Sequence, residues 1–251
     1  MVHFNPMRKY FVLLLFMTGL PSSSCNLRDQ KSYLLDELLM ISKEIEIKFL
    51  GNNPDVNYYR QRIAEIAEMI KTRVDQKQPE EVVQAMNRTI FDDLKIEPMP
   101  DTTDITFDGL TILLRTRKAS CVGLTSLYLV LADRLHLPLN GVLVAHHVFV
   151  RYQSDSSYIN VETLRKGLCR TDEFYRNYFK PNPAVQYYLR NLTKKEFTAV
   201  CLFNLGNEYA NRGLIEDAIE TFKSAQKLFP AFKEVEDNLY AVYFQMQIKN
   251  K

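Results

Sequence analysis

Cysteine, excess charge of one sign and long hydrophobic runs are all scarce in this 251-residue chain, and each scarcity closes off a class of protein. The formal net charge is only +2 and no long basic run is present, so nothing makes an electrostatic case for nucleic acid. Four cysteines are too few for a disulfide scaffold in a chain of this length. None sits in a C-x-x-C pair, so a zinc reading built on Cys121, His146, His147 and Cys169 lacks a compact ligand pair. The most apolar stretch, Tyr10 to Leu20, is too short for a comfortable membrane span. What remains is an ordinary globular composition, 46% hydrophobic and 25% charged. That is enough for a sizeable core in one or two domains with appendages.

The first 25 residues predict an export signal. Arg8 and Lys9 precede the short apolar stretch, and Pro21-Ser22-Ser23-Ser24-Cys25 follows it. A cysteine after small residues is similar to a bacterial lipoprotein site, which makes Cys25 the expected lipidation site, with simple cleavage and then an uncleaved hydrophobic anchor as the alternatives. The expected location is the bacterial cell envelope, lipid-anchored to a membrane or periplasmic. Ser22 stands where that pattern usually has a leucine-like residue.

Residues 26–98 predict a helical region. The stretch Asp29 to Leu50 carries Tyr33, Leu34, Glu37, Leu38 and Ile41 at helical spacing. Gly51-Asn52-Asn53-Pro54 reads as a stop followed by a start, with Asn as the cap and Pro at the first helical position. The next helix, from about Pro54 to Asp75, turns Ile63, Ile66, Ala67 and Ile70 inward. Pro79-Glu80-Glu81 opens another, which ends near Leu94.

The chemistry gathers around Cys121. Leu124, Leu127, Tyr128, Leu131 and Leu135 predict a core helix, so Cys121 falls at or near its N-terminus. Unpaired N–H groups and the macrodipole favour an anion there, and the thiolate is the nucleophilic form of cysteine. Downstream, the alternating segment Gly141 to Tyr152 predicts a strand carrying His146 and His147, and Tyr158 to Glu162 predicts a second. The order Cys121, His147, Asn160 supplies a nucleophile, a base and a group to orient the base. Glu162 shares a strand face with Asn160 and offers a charge the amide lacks. From its position alone, Cys121 reads as an inert buried thiol; His147 and Asn160 downstream bring the catalytic reading level with that one.

Asn87 to Leu94, Cys121 to Leu129, Leu135 to Val142 and His147 to Arg151 together resemble the SirB-type branch of the transglutaminase-like cysteine-hydrolase superfamily. The resemblance spans about Glu80 to Gly167. It selects His147 over His146 as the base, through its position before Arg151. It implies a papain-like core in which Asn160 stands where an aspartate is more usual. It implies no metal and no organic cofactor. The backbone N–H of Cys121 is the natural oxyanion donor; the second donor is not identified. Gly123 allows close helix packing or approach of a substrate backbone. Cys169 and Cys201 are available to pair in an oxidising compartment. Asn87-Arg88-Thr89 and Asn191-Leu192-Thr193 match glycosylation acceptors, which a bacterial lipoprotein does not normally use.

At the C-terminus, Asn204-Leu205-Gly206-Asn207-Glu208-Tyr209 with Ala218, Phe222 and Pro230 resembles a tetratricopeptide repeat, and Asn238 to Tyr243 restarts it about 34 residues on. The expected fold is therefore α+β. A signal occupies 1–25 and a helical region 26–98. A transglutaminase-like core, with a helix packed on a small antiparallel sheet, follows over 99–195, and a tetratricopeptide-like helical hairpin over 196–251. Two functions stay open: a thiol enzyme that hydrolyses or transfers an acyl group from an amide or peptide, and a non-catalytic envelope scaffold that binds a protein or peptide partner through its repeat.

Overall fold

A computed structural model describes residues 33–74, 78–100, 102–155 and 157–249. The expected signal and the Cys25 lipidation site lie outside the described residues. No helix among the described residues is long and apolar enough to cross a membrane.

The fold is α+β, as the sequence predicts. The first helix, α1 (Tyr33–Ile45), buries Leu34, Leu35, Leu38 and Leu39, so its inner face is rotated from the expected stripe and leaves Tyr33 exposed. It runs on as a π-helical turn over Glu46–Leu50 and ends on Gly51, whose φ of 68° is the left-handed conformation a helix stop favours. The buried Glu46 in that turn accepts from Thr111 at 2.5 Å and from Arg115 at 2.7 Å, which locks α1 to a later helix. The second helix, α2 (Val56–Lys71), is capped by Asp55, which accepts from the Asn57 N–H; the cap is thus not an asparagine, and Pro54 precedes the helix. Ile63, Ile66, Ala67 and Ile70 are buried as expected. Helix α3 (Pro79–Asn87) continues as a second π-helical turn, Arg88–Asp93.

Two residues of β1 (Glu97–Pro98) pair in parallel with β2 (Lys118–Ala119) around α4 (Leu110–Thr116), and α5 (Cys121–Leu135) follows at once. The main sheet has the order β3 (Leu139–Val144), β4 (His147–Gln153), β5 (Tyr158–Glu162), β6 (Leu168–Arg170), all antiparallel. The predicted single strand Gly141 to Tyr152 is instead a hairpin. Ala145 and His146 form its turn, and Val144 pairs with His147. His146 takes φ 59°, a conformation that histidine adopts more readily than bulkier or branched residues.

The sheet has two occupied faces. Leu139, Leu143, Val148, Val150 and Val161 join the main core, where α5 packs on β3 and β4. Val142, Val144 and Phe149 form a second cluster with Tyr175 of α6 (Asp172–Phe179). Three further helices complete the chain: α7 (Lys194–Asn211), α8 (Ile215–Leu228) and α9 (Lys233–Lys249). A Cβ on Gly206 would lie 2.6 Å from the Phe222 ring, so only glycine lets α7 and α8 approach this closely.

Candidate active site

Four devices fix the start of α5. Ser120 is its N-cap, and its hydroxyl accepts from the N–H groups of Val122 (3.2 Å) and Gly123 (3.3 Å). The same hydroxyl bonds the carboxylate of Asp108, and the other Asp108 oxygen accepts from the Asn204 amide of α7 at 2.8 Å. The Ser120 N–H donates to the Phe107 carbonyl at 3.0 Å. A Cβ on Gly123 would stand 2.3 Å from that carbonyl oxygen, so Gly123 serves close packing rather than substrate approach. Cys121 is therefore the first residue of a firmly held helix, and it is half-buried.

His147, the first residue of β4, is 6% exposed, so its polar atoms depend on partners within the protein. Its Nε2 lies 2.8 Å from Oε2 of Glu162, and the Cys121 thiol is its other titratable neighbour, on the same cleft. Burial alone pulls the imidazole toward its neutral form. Interactions with Cys121 and Glu162, with the Glu162 charge, override this and push its pKa up to about 9. The ring stacks on Phe179 at 4.8 Å between centroids with 5° between planes.

Glu162 is held as closely as the histidine. Tyr175 donates to its Oε2 at 3.1 Å, and the Leu164 N–H donates to its Oε1 at 3.0 Å. Burial next to this carboxylate raises the Tyr175 phenol, so it stays a donor. The turn after β5 is pinned as well. The Asn87 amide donates to the Gly167 carbonyl at 3.1 Å and accepts from the Tyr128 hydroxyl of α5 at 2.5 Å. Gly167 has φ 81°, and a Cβ there would meet Asn87 at 2.2 Å. Asn87 is thus a strut between α5 and the Glu162 turn.

Asn160 does not reach His147. Its carbonyl oxygen accepts from Arg151 Nε at 2.7 Å, and its amide donates to Asp172 at 2.7 Å. Arg151 also pairs with Asp172 at 2.6 Å and donates to the Leu189 carbonyl. Asn160 pairs with Arg151 in the β4–β5 register. That register points it into a buried ion pair and brings Glu162, two residues further along, to the histidine. The structure thus unites Cys121 and His147 and puts Glu162 in the place expected for Asn160.

Cys169 and Cys201 are both free, one exposed on β6 and one buried in α7. Burial pushes the Cys201 thiol up, in keeping with an inert core residue. No group of three or more His, Cys, Asp or Glu side chains is placed to hold a metal ion among the described residues.

A cleft of about 280 Å³ opens at Cys121 and His147. Its far wall comes from the C-terminal region, through Val200 and Phe203 of α7, Phe232 of the turn before α9 and Glu234 of α9. The sequence offered no sign of this wall. It did carry a sign of the aromatic shelf: Tyr175 and Phe179, four apart on α6, present one face to the site.

A family model described as the transglutaminase-like superfamily matches residues 57–199, more than half of the chain. The chain belongs to the transglutaminase-like superfamily. The match takes in α5, the whole sheet and α6, and it stops inside α7. A search of curated proteins returns no match. Among solved structures, the chain is similar to menin, whose crystal structure reveals the binding site for Mixed Lineage Leukemia (MLL) protein. The identity is 12% and the TM-score 0.44, over 89% of this chain and 64% of menin. This transglutaminase-like chain thus spans less than two thirds of that protein.

Proposed function

We propose that the protein is a thiol acyl-transfer enzyme of transglutaminase-like type, with Cys121 as nucleophile, His147 as acid and base, and Glu162 as the group that orients and charges the imidazole. The observation that carries this reading is a single buried histidine held by a buried carboxylate and neighbouring a helix-tip cysteine on the same cleft. With Nε2 engaged by Glu162, Nδ1 is the nitrogen left for the sulfur. A histidinium beside a thiol favours the thiolate.

The sulfur attacks an amide or ester carbonyl. The Ser120 hydroxyl takes the N–H groups of Val122 and Gly123, which leaves the Cys121 N–H to receive the developing oxyanion. His147 then gives its proton to the leaving group, and the C–N or C–O bond breaks to leave a thioester. Water, activated by the now neutral imidazole, releases the acid and restores the thiol. An amine in its place gives a new amide. Helices α7 to α9 act as a tetratricopeptide-like unit, a reading supported by Gly206 beneath Phe222, and they shape the cleft for a peptide. The enzyme works in the bacterial envelope after export, held by a lipid on Cys25.

The test is site-resolved alkylation of the intact protein with iodoacetamide. Labelling of Cys121 much faster than of exposed Cys169, and slowed in His147→Ala, supports the enzyme. Labelling of Cys121 no faster than of Cys169 overturns it and leaves the scaffold reading.

A further inference from the structure

The cleft holds a carboxylate that the chemistry above does not use. Glu234, in the first turn of α9, lines the same cavity as Cys121. Tyr187 and Tyr188 donate to its two oxygens, Tyr188 at 2.5 Å. Burial and this carboxylate raise both phenols, so they remain donors. The two hydroxyls fix the carboxylate in position but bring no positive charge. The adjacent Lys233 turns away and pairs with Glu236 and Asp237. Among the described residues no lysine or arginine forms an ion pair with Glu234. His146 and His147 line the same cavity, but no ion pair joins either to Glu234, so this half-buried carboxylate keeps room for a cation of its own.

The surroundings define that partner. Leu143, Val144, Val200, Phe203 and Phe232 give the cleft apolar walls. A lysine or arginine side chain combines an apolar stem with a cationic head, and each oxygen of Glu234 keeps acceptor capacity beyond its tyrosine bond. We propose that Glu234 is a specificity residue that receives the lysine or arginine side chain of a peptide substrate lying across the Cys121 cleft. The proposal rests on the reading that this cleft is the substrate site. It extends that reading from amides in general to cationic peptides, recognised by a residue outside the matched family segment.

The experiment measures binding, so it stands apart from turnover. Fluorescein-labelled hexapeptide libraries with a fixed central lysine, arginine, norleucine or acetyl-lysine are titrated against full-length Cys121→Ser by fluorescence anisotropy. The expected result is lysine and arginine binding about tenfold tighter than norleucine or acetyl-lysine, the ratio one charge-assisted hydrogen bond supplies. In Glu234→Gln, which keeps one acceptor oxygen and turns the other position into a donor that a tyrosine oxygen can accept from, that ratio falls to about one while norleucine binding stays unchanged. Equal binding of all four libraries, no binding of any, or a preference that survives Glu234→Gln overturns the proposal. The lysine–acetyl-lysine comparison needs no change at Glu234, so a poorly folded variant cannot obscure the answer. A cationic preference in a protein whose Cys121 alkylates no faster than Cys169 would refute the enzyme and keep the recognition site. Fast Cys121 alkylation without the preference would do the reverse.

Discussion

Glu162 Oε2 lies 2.8 Å from His147 Nε2, and the Asn160 side chain, two residues earlier on the same strand face, is spent on Arg151 and Asp172. The two residues therefore predict different phenotypes. Glu162→Gln removes the charge that favours imidazolium and should slow alkylation of Cys121 about 10²-fold, with a stability loss that shrinks as pH rises through the His147 titration. Asn160→Ala leaves Arg151 short of an acceptor in a buried network and should lower stability by about 1–3 kcal/mol, with Cys121 reactivity little changed. Urea unfolding and site-resolved alkylation separate the two. Equal effects on reactivity would reject the assignment of Glu162.

The titration of His147 sets a high-pH limit. Its pKa is pushed up to about 9 in the folded protein from an ordinary 6.5. Protonated His147 therefore contributes stability that is fully present below pH 6.5 and fades as pH rises through about 9. Unfolding free energy should fall across that window, and less so in Glu162→Gln. On the proposed mechanism, turnover that needs the imidazolium should fall over the same range. Stability flat from pH 6.5 to 9.5 after subtraction of the Glu162→Gln profile would contradict the pairing.

Asp108 predicts a loss of the same sign at lower pH. Burial raises its carboxyl to about 6 from 3.8, with the bonds from Ser120 and Asn204 acting against the rise. The folded state thus binds the proton more tightly than the unfolded one. The contribution is fully present below pH 3.8 and is lost as pH climbs through 6. Relative to Asp108→Asn, the native protein should lose on the order of 2–3 kcal/mol between pH 4 and 7. Chemical denaturation of both proteins at a series of pH values checks the sign.

Gly123→Ala tests the tight approach at the helix tip. The new methyl meets a backbone oxygen at 2.3 Å, which cannot rotate aside, so α5 or the turn before it must move. A loss of about 1–3 kcal/mol and slower Cys121 alkylation are expected together. Unchanged thermal unfolding would show that the contact is slack.

The legible parts of this protein were those written in local pattern. The leucine spacing of α5 placed Cys121 at a helix start, and the run from His147 to Arg151 identified a strand. The hairpin escaped because Ala145-His146 carries no glycine, asparagine or proline to announce a turn. The exchange of Asn160 for Glu162 escaped because both share a face; only the register against Arg151 separates them. Asp108 and the far wall of the cleft are products of tertiary packing, in which α7 returns to α5 through Asn204. The π-helical turns at Glu46 and Arg88 have no periodic signature of their own.

Because Phe232 and Glu234 close the cleft across from Cys121, the ribosome makes the sulfur long before it makes its enclosure. A nascent chain therefore carries the thiol before part of the cleft around it exists. On the proposed reading, competence arrives only when the final helices dock, so a protein clipped before α9 would keep its cysteine, its histidine and its carboxylate and lack that side of the cleft.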